Sequence, residues 1–108
     1  MMTTEVPDVI VTPQTTYKVV DREELEKPYR VIIENDDVTP MDFVVLVLRA
    51  IFGLDYERAI EIMFTAHNEG RAHVITLPFE EAQQRVYAAH SLAREAGYPL
   101  SFYLEPDE

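Results

Sequence analysis

Cysteine is absent from the 108-residue chain, glycine occurs three times, and lysine and arginine together number nine against twenty acidic residues. Without cysteine there is neither a disulfide framework nor a thiolate metal site, which fits a reducing compartment. With so little glycine there is no phosphate-cradling loop, and no serine stands in a nucleophile elbow. The formal charge of −11 gives no field that would draw in a phosphate backbone. Nucleic acid is therefore not an expected partner, cationic partners are favoured, and the acidity also serves solubility. No apolar run approaches the ~20 residues of a membrane span, and Met1 to Val11 lacks the basic and apolar regions of a signal peptide. The expectation is a soluble, cytoplasmic protein that does not contact a membrane. A chain of this length holds one core and one compact domain.

Residues 1–28 carry the breakers Pro7, Pro13 and Pro28 and show no sustained helical or strand period, so they read as a flexible arm, with a helical turn or two allowed over Asp21 to Lys27. From Tyr29 the character changes. Tyr29 to Ile33 is aromatic and β-branched and runs into the polar cluster Glu34-Asn35-Asp36-Asp37, the pattern of a strand followed by an acidic loop. Thr39-Pro40-Met41-Asp42 supplies a helix start: Thr39 as the cap, Pro40 at the first helical position and a carboxylate three residues after the cap. Phe43, Val44, Val47, Leu48 and Ile51 then recur at helical spacing, and Gly53 is a natural stop.

A second helix is expected from a cap at Asp55, with Ala59, Ile62, Met63 and Ala66 on one face and an end near Gly70. Arg71 to Leu77 reads as a strand. Pro78, Glu80 and Glu81 open a third helix carrying the stripe Ala82, Val86, Ala89 and Ala93, which Gly97 ends. Leu100, Phe102 and Leu104 alternate with polar neighbours, a half-buried strand. The order βααβαβ over residues 29–108 predicts an α+β fold: a small, three-stranded, largely antiparallel sheet packed against three helices.

Asn35, Asp36 and Asp37 stand where a strand hands over to a helix, a place where binding groups concentrate but where turns and caps also demand these residue types. Together with His67 they form a set of hydrogen-bond acceptors, and Met41, Val44 and Met63 are their apolar neighbours. An ammonium attached to an apolar side chain suits such a set, because each charge-assisted bond it makes is worth about 1.5–3 kcal/mol. Asp36, Asp37 and His67 could also ligate a cation, although their spacing matches no metal motif. His73 and His90 read as strand and helix surface residues with no special role.

The run Tyr29-Arg30-Val31-Ile32-Ile33-Glu34-Asn35-Asp36-Asp37-Val38-Thr39-Pro40-Met41-Asp42-Phe43-Val44 closely resembles the signature of the ClpS adaptor family. Arg58-Ala59, Met63, His67, Gly70, Ala72, Ala93-Arg94-Glu95 and Pro99-Leu100 continue the likeness at the family's spacing. The resemblance implies an adaptor, not an enzyme, that needs no cofactor. Such an adaptor delivers proteins with a bulky apolar first residue, N-degrons, to the N-terminal domain of a Clp-family AAA+ unfoldase of the ClpA or ClpC type. It further implies that Asn35, Asp36 and His67 receive the substrate's α-amino group and that Asp37 and Thr39 support the loop or the first peptide bond. Met41, Val44, Met63, Ala66 and Leu100 would line the side-chain pocket, with Met41 excluding β-branched residues. Glu80 and Arg85 match positions that contact the unfoldase, and the arm is consistent with the extension that engages it. Ala66 stands where the family commonly has valine, which implies a roomier pocket, and His73 to Phe79 replaces a more usual glycine-containing segment. Two alternatives stay open from the residues: a diverged interaction module that no longer reads N-termini, and a small metal-dependent hydrolase.

Overall fold

The computed structural model describes residues 22–108; most of the arm expected over residues 1–28 lies outside them. The elements run α1 (Arg22–Glu26), β1 (Pro28–Glu34), α2 (Met41–Ala50), α3 (Tyr56–Glu69), β2 (Arg71–Pro78), α4 (Phe79–Ala96) and β3 (Ser101–Pro106). The expected βααβαβ order is present, preceded by the short α1, which lies against α4. The sheet is antiparallel with strand order β2-β1-β3. The most apolar strand therefore takes the centre, where Val31 and Ile33 are buried in the main core with Leu48, Ile62, Val74 and Phe102.

The small-residue stripe of α4 explains how that helix approaches the sheet. Ala82, Ala89 and Ala93 are buried, and the absence of bulk lets the backbone sit close to β1 and β3 while Phe102 and Leu104 fill the space. Local signals set the element ends. Asp55 accepts a 2.8 Å hydrogen bond from the Arg58 amide at the start of α3, and Gly70 closes that helix in the left-handed region at φ 94°, which costs a side-chain-bearing residue.

Two features depart from the expected pattern. β2 continues through Pro78 and carries a bulge: Val31 pairs with Ile75 but Ile32 pairs with His73, which leaves Val74 as the extra residue. Val74 is in the core with Ile75 packed beside it, and His73 bonds Thr76, at 2.8 Å from Nε2 to Oγ1. A regular strand would send residues three apart to opposite faces. The second departure concerns His90. It is not an idle helix surface residue: its Nε2 accepts the Phe102 amide N–H at 2.9 Å and so pins α4 to the free edge of β3. Acceptance at Nε2 requires a neutral ring with its proton on Nδ1.

Candidate functional site

The loop between β1 and α2 is organised by one carboxylate. Asp36 Oδ1 accepts the amide N–H of Val38 at 2.8 Å and of Thr39 at 2.6 Å, and Oδ2 accepts the Thr39 hydroxyl at 2.9 Å. Partial burial of Asp36 disfavours its charged form, but the three donors outweigh it and hold the carboxyl below its ordinary range. This arrangement corrects the expected helix start. Thr39 is not the cap; Pro40 occupies that position in extended conformation with no side-chain cap bond, and the helix begins at Met41. The Pro40 carbonyl instead accepts from Phe43 and Val44, each at 3.1 Å. The Thr39 hydroxyl gives its proton to a carboxylate, a stronger partner than the helix amide it would otherwise cap.

The other side of the site comes from the end of α3. The Asn35 amide donates to the Gly70 carbonyl at 2.9 Å, and the Gly70 amide donates to Ala66 at 2.8 Å, so the acidic loop is fastened to the last turn of the helix that carries His67. Between loop and helix lies a cavity of about 330 Å³. Asn35, Asp36, Asp37, Thr39, Met41, Val44, Met63, Ala66, His67 and Leu100 all line it. Ile33, Glu34, Val38 and Pro40 complete the lining; these had no signal of their own beyond adjacency to the polar run.

The cavity has two chemical halves. Met63, Ala66 and Leu100 are buried and apolar, and Val44 is half-buried beside them. The polar half is open: Asn35, Asp37 and His67 are exposed. Among the described residues, their side chains make no hydrogen bond or ion pair within the chain, so their acceptors face the cavity mouth uncommitted. Its volume is near the lower end of the ~300–1,000 Å³ of small-ligand pockets, enough for one side chain and the polar group it carries. Among the described residues, no group of three or more His, Asp or Glu side chains is disposed to hold a metal ion.

Glu80 and Arg85 lie apart from the cavity, on α4. Glu80 is exposed. Arg85 is engaged inside the fold, with Nη1 donating to the Ile51 carbonyl at 2.6 Å and Nη2 to Glu81 at 2.9 Å, so it satisfies a carbonyl that the end of α2 leaves without a helical partner.

Against known proteins, the model of the family described as "ATP-dependent Clp protease adaptor protein ClpS" matches residues 24–103. The chain belongs to the ClpS family. It is an adaptor of the ATP-dependent Clp protease and not an enzyme. The ClpS 2 protein of Rhizobium meliloti is 40% identical over 93 residues, spanning 84% of this chain and 92% of that protein. That of Mesorhizobium japonicum is 39% identical over 102 residues, spanning 94% and 99%. Among solved structures, Agrobacterium tumefaciens ClpS2 bound to L-phenylalaninamide superimposes with a TM-score of 0.73 at 39% identity, covering 76% of this chain and 99% of that one. Among the described residues, no helix is long and apolar enough to cross a membrane.

Proposed function

We propose that the cavity receives the free N-terminus of a protein that begins with a bulky apolar residue, and that the adaptor hands this protein to a Clp-family AAA+ unfoldase of the ClpA or ClpC type. The observation that carries the reading is the convergence of ten side chains from the β1–α2 loop, α2, α3 and the lead into β3 on one two-sided cavity. Asn35, Asp36 and His67 take the α-ammonium, Thr39 supports the loop through Asp36, Asp37 is left free for the first peptide bond, and Met41, Val44, Met63, Ala66 and Leu100 enclose the first side chain. The molecule bound to the A. tumefaciens relative, L-phenylalaninamide, has this composition: a free α-amino group next to a benzyl side chain. The amino group is the stricter requirement, because its loss strands desolvated acceptors, whereas a methylene more or less in the apolar half changes binding by about 1–3 kcal/mol.

On this reading Glu80 remains available to the unfoldase and Arg85 acts chiefly through the fold. The work takes place in the cytoplasm, where the ATP that an AAA+ unfoldase consumes is at hand. The test is titration of a labelled peptide beginning with Phe against its N-acetylated twin. Binding of the free form alone is expected. Equal binding of both, or of neither, rejects the amino pocket and favours an interaction module that does not read N-termini.

A further inference from the structure

A second and larger cavity, of about 730 Å³, runs along the other side of α2 and faces α3. Its floor is apolar, from Val45, Leu54 and Ile60. Its rim holds large hydrophobic side chains that the described residues leave uncovered: Leu46 is 50% and Tyr56 56% exposed. Met41 and Met63 line both this groove and the amino pocket, so the two are continuous across the Met41 side chain. Resting on the reading of the amino pocket, we infer that the groove is a second subsite for the same substrate and takes the residues that follow its first side chain.

The dimensions agree. α2 has ten residues, a length of about 15 Å at ~1.5 Å per residue. An extended peptide rising ~3.3 Å per residue lays down about four residues over that distance. With residue 1 in the amino pocket and residue 2 crossing Met41, residues 3 to 6 lie along the groove. Charge gives the groove a direction. Asp42 stands at the end near the amino pocket, and Arg49 stands two turns further on, its guanidinium 5.7 Å from the Tyr56 ring centroid. Among the described residues, Arg49 has no carboxylate within salt-bridge distance. In a chain of charge −11, this unpaired cation favours an acidic residue near position 5 or 6 of the substrate, while Asp42 disfavours one at position 2 or 3. The preferred substrate therefore has apolar side chains at positions 3 and 4 and an acidic residue at position 5 or 6.

The experiment compares L-phenylalaninamide with two series of hexapeptides that begin with Phe. One series carries Leu or Ser at positions 3 and 4, and the other Glu or Lys at position 5. The wild-type chain is measured alongside Leu46→Glu and Arg49→Glu, both at positions outside the amino pocket. Leu46→Glu should weaken the Leu-containing peptide by about ten-fold, the scale of losing one apolar side-chain contact, and leave phenylalaninamide within about two-fold, which also reports that the variant is folded. Arg49→Glu should reverse the Glu-over-Lys preference at position 5, with an effect that shrinks as salt is raised. Normal phenylalaninamide binding with peptide affinities indifferent to both substitutions overturns this inference alone. Failure of the wild-type chain to bind phenylalaninamide overturns the amino pocket and the groove together. Concentration-dependent dimerisation abolished by Leu46→Glu, without change in peptide binding, would assign the groove to a second copy and also overturn the inference.

Discussion

On the proposed function, replacing Asp36 with asparagine should weaken the fold slightly and the recognition of amines strongly, because the carboxylate would serve both. The asparagine oxygen can still accept the two amides of Val38 and Thr39, which lie 2.8 and 2.6 Å from Oδ1. The third bond changes character, since an NH₂ now meets the Thr39 hydroxyl where a carboxylate oxygen had accepted it at 2.9 Å. Loss of charge assistance at this partly exposed site should cost about 1 kcal/mol, at the low end for bonds to charged groups. For a domain of this size that lowers Tm by about 4–8 °C. The substrate ammonium loses a charged acceptor outright, about 1.5–3 kcal/mol or roughly 10- to 150-fold in Kd. Thermal unfolding followed by circular dichroism and titration with a Phe-initiated peptide at 25 °C read the two effects separately. A variant that is folded and binds within two-fold of wild type refutes Asp36 as an ammonium acceptor. An unchanged Tm refutes its role in organising the loop.

The edge of β3, the end of α2 and the pocket wall support three more tests. Burial, and then the Arg94 cation, push the His90 imidazole below its ordinary pKa; the unfolded chain therefore takes up the proton first, and the contribution is complete above about pH 6.5 and lost as pH falls further. His73 is shifted the same way, by burial and then by Arg30 and Arg58, so Tm should fall between pH 7 and 5, and His90→Gln, which keeps an acceptor for Phe102, should flatten part of that slope; a variant with the wild-type slope would assign none of it to His90. Arg85→Ala leaves the Ile51 carbonyl without its 2.6 Å donor and, at a half-exposed site, should cost about 1 kcal/mol by chemical denaturation; no loss would contradict its structural role. Ala66 is only 3% exposed and lines the amino pocket, so Ala66→Val should shift preference from Phe-initiated towards Leu-initiated peptides by up to about ten-fold, and unchanged relative affinities would mean that this wall does not set the pocket's width.

The parts of the fold that were legible in the sequence are those whose causes are local. Asp55 caps α3 by bonding an amide three residues ahead, and the apolar stretch of β1 needs only its own side chains to mark it as a strand, whereas its central place in the sheet comes from the structure. The start of α2 was displaced by one residue because Thr39 and Asp36 can each serve a turn or a cap, and the choice depends on how the loop folds back on itself. The bulge at Val74 and the His90–Phe102 bond depend on partners in other elements, and neither leaves a periodic trace. The acceptor set could be read from the residues, but the pocket role of the apolar residues rested on the resemblance: Met63 and Leu100 have the spacing of ordinary core residues, and only the structure brings them to the same cavity as Asn35 and His67.

The structure divides the acceptors by task. Asp36 spends both oxygens on the loop and remains ionised further into acid than an ordinary carboxylate, so its attraction for an ammonium is present throughout the near-neutral range. Asn35 is fixed through its backbone to Gly70, which sets it beside the last turn of α3, near His67, and on the proposed function leaves its side chain to the ligand. A loss of peptide affinity on mild acidification therefore cannot come from Asp36. If His67 accepts from the ammonium, His67→Lys sets a second cation beside the first and affinity falls, whereas unchanged affinity assigns His67 to donation toward the peptide carbonyl. Either outcome leaves the site in place and fixes the direction of one hydrogen bond within it.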